Sequence, residues 1–272
     1  MRRSPASAKL NLALVVGPRR PDGKHEVTTV LQRIDLADRV SLAPSSELSV
    51  GGFAEDTLVA SALRRLAEAA GTEPRWEARI DKRIPVAAGL GGGSSDAAAA
   101  LRLANETLER PLAPDALREL AAELGADIPF FLASGPQLGT GDGSALEPLD
   151  LPQDYWVVLL LPDGASKAST AAVYEAFDAR AGGEEYEERR RALLAALQHV
   201  EGARDLAGLP SNDLASSPLA GELRELGAFR ADVTGAGPAV YGLFAEEREA
   251  GAAGRRLRGR GRAWVSVPAW YG

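Results

Sequence analysis

One segment dominates the interpretation of this chain, and it reads Pro85, Val86, Ala87, Ala88, Gly89, Leu90, Gly91, Gly92, Gly93, Ser94 and Ser95. Residues 76–80, shortly before it, alternate apolar and charged side chains, as a half-buried strand does. Residues 95–108, directly after it, are rich in alanine and leucine and predict a helix. Glycines between a strand and a helix let backbone N–H groups approach a phosphate closely, and the helix adds its positive end. We call residues 85–95 the glycine loop and predict that this loop binds phosphate.

Two familiar phosphate loops do not fit these residues. A dinucleotide-binding fingerprint would need glycine at the position of Ser94, and the chain shows no run of parallel strand and helix units. A Walker A loop would end in Gly-Lys followed by serine or threonine, whereas Gly93 is followed directly by Ser94. A structural alternative remains open, in which the loop is a flexible turn and Ser94 or Ser95 caps the helix. Phosphate binding is favoured because three adjacent glycines would otherwise cost chain entropy without a structural benefit.

Composition restricts the possible classes of function. The chain has 272 residues, 45% of them hydrophobic and 25% charged, which is the balance of a globular protein with a sizeable core. It has no cysteine and only two histidines, His25 and His199, which excludes a cysteine-based zinc cluster and a histidine-rich metal site. A formal net charge of -7 argues against general nucleic-acid binding, and no segment has the roughly 20 apolar residues of a membrane span. We therefore expect a cytoplasmic protein with no nucleic-acid or membrane partner.

The order of apolar patterns predicts an α+β chain in two parts. The predicted strands cover residues 8–16, 28–36, 39–42, 76–80, 155–161, 240–244 and 263–267. The predicted helices cover residues 57–70, 95–108, 114–125, 169–179 and 184–200. Asp38 is predicted to lie in the connection between the second and third strands. Residues 148–154 are rich in proline and aspartate, so we expect one domain over 1–150 and a second over 151–272.

Several motifs, taken in chain order, resemble those of the GHMP kinase superfamily. They are Ala8-Lys9-Leu10-Asn11-Leu12, Asp22-Gly23-Lys24-His25, the glycine loop followed by Asp96, Gly125-Ala126-Asp127-Ile128-Pro129-Phe130-Phe131 and Thr234-Gly235-Ala236-Gly237. The resemblance implies a two-domain GHMP kinase fold, with a ribosomal-protein-S5-domain-2-like N-terminal half and a ferredoxin-like C-terminal half. It also implies ATP-dependent phosphorylation of a small alcohol in the cleft between the halves.

The resemblance implies two catalytic residues. Asp127 would accept the hydroxyl proton of the acceptor, and Lys9 would orient and polarise that hydroxyl. Side-chain chemistry agrees, because an aspartate with the ordinary pKa of about 3.9 is ionised at neutral pH and a nearby ammonium would stabilise a developing alkoxide. The structural alternatives are a helix N-cap for Asp127, since Pro129 suits a first helical turn, and a surface position for Lys9. The complete set of motifs favours the catalytic roles.

The resemblance also implies which residues bind the nucleotide. Lys82, the glycine loop, Gly235 and Gly237 would hold ATP, with the two later glycines forming a second tight turn that closes the phosphate site. Magnesium is expected with ATP, and Ser95 is a candidate ligand for it.

Within the superfamily, the motifs are most similar to the branch whose acceptor is a cytidine-diphosphate-linked methylerythritol of non-mevalonate isoprenoid synthesis. The resemblance implies that Asn11, Lys24, His25 and Thr170 line the acceptor site, with His25 reading the cytosine edge. Lys24 stands where this branch usually has an aromatic residue, so a stacking face for the cytosine ring is lost.

Other departures and alternatives concern both ends of the site. Ala236 replaces a usual hydroxyl residue, and Thr57 stands where asparagine often lies near the adenine. A kinase for another small alcohol, such as mevalonate or homoserine, is an alternative if Lys24 reflects a different acceptor. A catalytically silent nucleotide-binding module is a second alternative, although it would need neither Lys9 nor Asp127. The expected partner is a small-molecule substrate, and the chain is expected to be a monomer or a weak homodimer.

Overall fold

The computed structural model describes residues 1–54, 58–165 and 169–269. Its strands are β1 (Arg2–Arg19), β2 (His25–Pro44), β3 (Ser49–Gly51), β4 (Trp76–Asp81), β5 (Gln137–Gly141), β6 (Ala145–Pro148), β7 (Trp156–Pro162), β8 (Arg230–Val233), β9 (Val240–Phe244) and β10 (Gly261–Ser266). Its α-helices are α1 (Leu58–Ala69), α2 (Gly92–Asn105), α3 (Pro114–Leu124), α4 (Ile128–Leu132), α5 (Thr170–Ala179), α6 (Tyr186–Leu197), α7 (Pro218–Glu225) and α8 (Glu247–Arg256). These elements confirm the predicted α+β class.

The first sheet is built around the long strand β2. Its order is β3-β4-β2-β5-β6, with β1 also antiparallel to β2. The prediction of two strands at 28–36 and 39–42 was wrong, because β2 runs through Asp38 without a break. Asp38 is only 1% exposed, and its carboxylate accepts hydrogen bonds from the backbone N–H groups of Arg83 and Ile84. A buried carboxylate is tolerated when it is hydrogen-bonded, so Asp38 fits inside the strand rather than a turn.

The ends of three helices of the first half can be compared with the bounds predicted from the sequence. Helix α3 runs from Pro114 to the residue before Gly125, as predicted. Helix α2 starts at Gly92, earlier than predicted, and the N-cap position is Gly91 with a left-handed φ of 69° and no side-chain cap. The alternative in which Ser94 or Ser95 caps this helix is therefore wrong. The predicted first residue of helix α1, Thr57, lies outside the described residues.

The second sheet has the order β10-β7-β9-β8, with antiparallel neighbours throughout. Numbered within this half, the strands lie in the order 4-1-3-2 with helices between the first and second and between the third and fourth, which is the ferredoxin-like arrangement. The three strands predicted for this half are present as β7, β9 and β10. The short strands β3, β5, β6 and β8 were not predicted, because three to five residues carry too little periodicity. Helix α7, with eight residues, was also not predicted.

One hydrophobic core extends across both sheets. It contains Leu10 and Val15 of strand β1 together with Leu159 and Leu243 of the second sheet. The Tyr241 hydroxyl, fully buried, donates a hydrogen bond to a carbonyl of strand β1. The two predicted domains are therefore packed through a shared apolar interior, while the boundary near residue 150 stays a prediction. Among the described residues, no helix is long and apolar enough to cross a membrane.

Candidate active site

A cavity of about 380 Å³ lies between the glycine loop, strand β1 and the segment joining strands β8 and β9. Of the residues predicted for the site, it is lined by Lys9, Asn11, Lys82, Pro85, Val86, Ala87, Ala88, Gly89, Leu90, Gly91, Gly92, Gly93, Ser94, Asp127, Thr170 and Gly235. The structure thus brings together residues from both ends of the chain. Lys24, His25, Ser95 and Gly237 are outside this lining, and their positions are described below.

Three residues of the glycine loop have a left-handed backbone. Gly89 and Gly91 have φ values of 84° and 69°, and Ala87 has a φ of 57°, a conformation costly for residues with a Cβ. A Cβ built on Gly89 would lie 2.4 Å from the carbonyl oxygen of Thr234, and one on Gly91 would lie 2.9 Å from Phe131. The glycines are required because the loop approaches its neighbours this closely.

Two backbone hydrogen bonds hold the loop in place. The Lys9 N–H donates to the carbonyl of Leu90 at 2.9 Å, and the Ala239 N–H donates to the carbonyl of Ala88 at 3.1 Å. The first bond joins the loop to strand β1, and the second joins it to the other sheet. The first turn of helix α2 follows directly, and its leading N–H groups lack partners within the helix. An anion in the cavity would therefore meet fixed N–H donors and the positive helix end.

Lys9 and Asp127 face each other across the cavity. The Lys9 side chain is only 5% exposed, and its Nζ lies 3.9 Å from Oδ2 of Asp127. The Lys9 ammonium donates to Oδ1 of Asn11 at 2.6 Å, and Asn11 in turn donates to Thr29 Oγ1 at 2.8 Å. Asp127 occupies the N-cap position of helix α4 but makes no capping hydrogen bond. Its carboxylate is therefore directed to the cavity and is not used to cap the helix, and Asn11 holds the lysine.

Lys82 is bound by two buried carboxylates. Its Nζ lies 2.6 Å from Asp38 and 2.6 Å from Asp96, which are 0% and 1% exposed. Burial alone would lower the pKa of the Lys82 ammonium, but the hydrogen bonds to Asp38 and Asp96 outweigh burial and raise it. Lys82 and Asp96 both line the cavity. The sequence analysis missed this triad, although Asp96 follows the glycine loop directly and could have drawn attention.

The second glycine turn has one residue at the cavity and one behind it. Gly235 lines the cavity, and a Cβ there would lie 3.4 Å from Lys9 Nζ. Gly237, with a φ of 73°, instead shapes the turn into strand β9, so its predicted contact with ATP is not supported. Asn212 supports the turn by donating to the carbonyls of Val233 and Gly235. Helix α7 begins further along the chain, where the Ser217 side chain caps it.

His25 is positioned behind an aromatic wall of the cavity. Its ring stacks on Tyr174 with centroids 4.6 Å apart, and its Nε2 lies 2.7 Å from Oδ1 of Asp178. Tyr174 lines the cavity, whereas His25 is buried behind it and does not. Burial, together with the charge of Asp127, raises the pKa of Tyr174 to about 12, so its hydroxyl stays neutral at physiological pH. Tyr174 was missed in the sequence because no motif contains it.

Lys24 is engaged with a carboxylate at the cavity rim. Its Nζ lies 2.5 Å from Oδ2 of Asp142, and Asp142 lines the cavity while Lys24 is exposed. Partial burial would raise the pKa of Asp142, but hydrogen bonds from Lys24 and Ser144 lower it to about 2. Asp142 is therefore an anion at neutral pH, and Lys24 neutralises it. Tyr174, and not residue 24, presents an aromatic ring to the cavity.

Ser95 does not face the nucleotide cavity. It is 2% exposed and lines a different cavity on another face of helix α2, so the prediction that it binds magnesium is not supported. No cluster of three or more His, Asp or Glu side chains able to hold a metal occurs among the described residues. Magnesium in kinases is commonly bound by one or two carboxylates and the substrate phosphates. Asp96 and Asp127 line the cavity and fit that limited role.

A glycine loop that lines one cavity together with a lysine and an aspartate, between two α+β halves, is typical of a small-molecule kinase. Residues 57–135 match the family described as GHMP kinases N terminal domain, and residues 193–263 match GHMP kinases C terminal. A 4-diphosphocytidyl-2-C-methyl-D-erythritol kinase of Pelotomaculum thermopropionicum (strain DSM 13744 / JCM 10971 / SI) is 38% identical over 270 residues, which cover 93% of this chain and 92% of the relative.

Solved structures agree with these matches. A 4-(cytidine 5'-diphospho)-2C-methyl-D-erythritol kinase has a TM-score of 0.78 and 31% identity, covering 98% of this chain and 99% of its own. The mevalonate kinase of Methanococcus jannaschii has a TM-score of 0.76 but 13% identity, with 98% of each chain covered, and shows a shared fold alone. This chain belongs to the GHMP kinases, in the family of the 4-diphosphocytidyl-2-C-methyl-D-erythritol kinases.

Proposed function

We propose that this chain transfers the γ-phosphate of ATP to the 2-hydroxyl of 4-diphosphocytidyl-2-C-methyl-D-erythritol, a step of non-mevalonate isoprenoid synthesis. The observation that carries the proposal is the pairing of Lys9 with Asp127 in the same cavity as the glycine loop. The names of relatives 35–40% identical over nearly the whole chain support this acceptor. Kinases for mevalonate or homoserine share the fold at 13–18% identity, which carries no information on the acceptor.

The donor end of the cavity suits a nucleotide triphosphate. The glycine loop and the first turn of helix α2 offer backbone N–H groups to the phosphates, and Ser94 adds a hydroxyl. Lys82 lines the same end of the cavity, and its ammonium is held in place by Asp38 and Asp96. Magnesium bound to the phosphates would neutralise charge on the transferred group. Asp96 or Asp127 would hold that ion from the protein side.

The acceptor hydroxyl is proposed to lie between Lys9 and Asp127. Asp127 accepts the hydroxyl proton while the hydroxyl oxygen attacks the γ-phosphorus, and the bond from that phosphorus to the β-phosphate oxygen breaks to release ADP. The ammonium of Lys9 stabilises the negative charge that develops on the attacking oxygen. Asn11 keeps the ammonium in place through its 2.6 Å hydrogen bond. General-base catalysis and positioning together account for the reaction.

The cytidine end is proposed to lie against Tyr174. This ring lines the cavity, and Thr170 lies one helical turn before it on helix α5. His25 supports Tyr174 from behind by stacking, so its proposed part is to fix the ring that meets the cytosine. The proposed substrates are water-soluble phosphates, which suits a cytoplasmic enzyme acting as a monomer or weak homodimer without a nucleic-acid or membrane partner.

A kinetic assay tests the acceptor directly. The purified chain is incubated with ATP, magnesium and either the cytidylated methylerythritol, mevalonate or homoserine, and ADP release is followed. We expect turnover with the cytidylated acceptor alone. Phosphorylation of mevalonate or homoserine instead would overturn the acceptor assignment, and absence of turnover with nucleotide binding retained would favour a silent binding module. Thermal stabilisation by a cytidine diphosphate ligand gives an independent measure of the acceptor end.

A further inference from the structure

A second cavity of about 500 Å³ lies on the face of helix α2 that carries Ser95, Ala99 and Arg102. Its lining comprises Ser4, Pro5, Ser7, Arg33, Ser95, Ala99, Arg102, Glu106 and Phe131. We call it the α2 back cavity. The side chains at its rim, Pro5 and Glu106, are exposed, whereas Arg33, Ser95 and Ala99 at its floor are buried. It is therefore a pocket with an open mouth and a polar floor.

The floor carries a buried cation. Arg33 is 1% exposed, and its Nη2 donates to the carbonyls of Phe130 and Ala133. Its Nη1 has no hydrogen-bond partner among the described residues. This nitrogen is covered by protein atoms, and the guanidinium carbon lies 4.8 Å and 5.8 Å from the ring centres of Phe130 and Phe131. Arg33 therefore contributes a buried positive charge to the floor rather than a free donor.

A second arginine adds to the same positive field. Arg102 lines the back cavity and donates to Ser4 Oγ at 2.8 Å. Burial and the charge of Arg102 lower the pKa of Arg33 to about 10, and both arginines remain charged at neutral pH. Glu106, the one carboxylate of the lining, is already paired with Arg2 at the exposed rim. Burial lowers the pKa of Arg102, and the charge of Glu106 acts against that lowering. Two cations thus line the cavity with a single carboxylate, whose charge Arg2 and Arg102 share.

We propose that the α2 back cavity is a second anion-binding site, which takes a tetrahedral oxyanion of the phosphate class. Arg102 presents N–H donors suited to such oxygens, and the buried charge of Arg33 strengthens the attraction. The hydroxyls of Ser7 and Ser95, both in the lining, supply further donors. The anion would contact Arg102 and offset the repulsion between the two guanidinium groups. Ser95, which the nucleotide cavity does not use, receives a function here.

The back cavity also adjoins the catalytic machinery through one side chain. Phe131 lines it, and the same ring would lie 2.9 Å from a Cβ built on Gly91. Phe131 is therefore the wall between the proposed anion and the glycine loop. Both cavities are lined by residues of helix α2, and their linings have no residue in common.

Calorimetric titration with inorganic phosphate tests the site. The chain is first saturated with a nonhydrolysable ATP analogue, whose binding is measured separately, so that the nucleotide cavity is filled. Wild-type protein is expected to bind one phosphate under these conditions, at constant ionic strength set with chloride. Arg102→Gln is expected to weaken this binding at least tenfold, because a charge-assisted hydrogen bond is lost. Arg64→Gln, which changes an exposed arginine of helix α1, is expected to leave it unchanged.

Two results would overturn the proposal. One is that the analogue-saturated wild-type protein binds no phosphate. The other is that Arg102→Gln and Arg64→Gln bind phosphate as the wild type does. Arg102 is chosen for the variant because it is only partly buried, whereas replacing the fully buried Arg33 risks unfolding the chain. Unchanged affinity of Arg102→Gln for the ATP analogue shows that any loss is confined to the back cavity.

Discussion

At the scale of single residues, the proposed chemistry depends on a lysine that is fixed by a hydrogen bond and on an aspartate whose carboxylate is not used to cap a helix. Asn11 fixes the Lys9 ammonium, and Asp127 caps no helix although it stands at the start of one. A carboxylate that is placed at a helix start without a structural hydrogen bond is available to accept a proton. The absence of a capping hydrogen bond argues against a purely structural N-cap role for Asp127 and supports its proposed role as the base.

Replacement of Asp127 by asparagine tests the proposed base. Asp127→Asn is expected to lower kcat by about 10²–10⁴, which is the usual contribution of a general base, with the affinity for an ATP analogue retained. Steady-state kinetics with the cytidylated acceptor measures this. Asp115→Asn, at an exposed position on helix α3, is the control and should behave as wild type. Undiminished turnover of Asp127→Asn would remove Asp127 from the mechanism.

Replacement of Tyr174 tests the cytidine end. Tyr174→Ala is expected to raise KM for the cytidylated acceptor about tenfold with a smaller effect on kcat, because base stacking on an aromatic ring contributes on the order of 1 kcal/mol. Tyr174→Phe keeps the ring and should retain the wild-type KM. Equal KM values for all three proteins would show that this ring does not contact the acceptor.

The residues that the sequence identified and those it missed differ in a physical way. Lys9 and Asp127 lie in motifs, whose residue types are constrained by the phosphoryl transfer that the family performs. Asp38 and Tyr174 act through distant partners, since Asp38 meets Lys82 across 44 positions of sequence, and no local pattern records such a pairing. Ser95 shows the converse error. Its place at the end of the glycine loop suggested a role in binding magnesium, but its side chain lies in helix α2 and does not line the cavity.

At the scale of elements, the strand before the glycine loop and the helix after it are joined through the buried Lys82 triad. Asp38 on strand β2 accepts from the Lys82 side chain and from two backbone N–H groups that lead into the loop. Asp96 on helix α2 accepts from the same lysine. The loop is thus fixed at its start by a strand and at its end by a helix.

Asp38→Asn is expected to destabilise the fold by on the order of 3 kcal/mol, because a buried cation loses a charged partner. Asp81→Asn is the matched control, since Asp81 makes an exposed pair with Arg83 and such pairs contribute about 0–1 kcal/mol. Urea unfolding of both variants measures the difference. If Asp38→Asn were no less stable than Asp81→Asn, the triad would not anchor the loop.

Alanine substitutions at two glycines, Gly89 and Gly93, test the backbone conformation of the glycine loop. Gly89→Ala is expected to destabilise by more than about 1–2 kcal/mol, because a left-handed backbone and contact with the Thr234 carbonyl both oppose a Cβ. A Cβ at Gly93 meets nothing within 4 Å, so Gly93→Ala should unfold at the wild-type urea concentration or a higher one. Equal stability of the two variants would contradict the described loop conformation.

At the scale of the whole molecule, the two halves share one interior. The core cluster draws side chains from strands β1, β7 and β9 alike, and Asp35 N–H donates to Val267 near the chain end. A shared interior predicts that the halves unfold together. The predicted boundary near residue 150 then separates two sheets within one cooperative unit.

Tryptophan fluorescence tests this cooperativity. Variants that keep either Trp76 of the first sheet or Trp264 of the second as the main reporter should give the same urea midpoint. Separate midpoints, with one half unfolding first, would show that the halves are independent. Calorimetry of the unaltered chain, where one transition is expected, serves as the control for effects of the tryptophan replacements.

The contacts between the glycine loop and the turn that joins strands β8 and β9 affect how the preference for a phosphoryl donor can change. The Ala88 carbonyl accepts a hydrogen bond from the Ala239 N–H, and Gly89 packs closely against the carbonyl of Thr234. Any substitution that shifts the turn between strands β8 and β9 must shift the loop as well. Variants selected for a different phosphoryl donor should therefore accumulate changes in the C-terminal half, in positions that never touch the nucleotide.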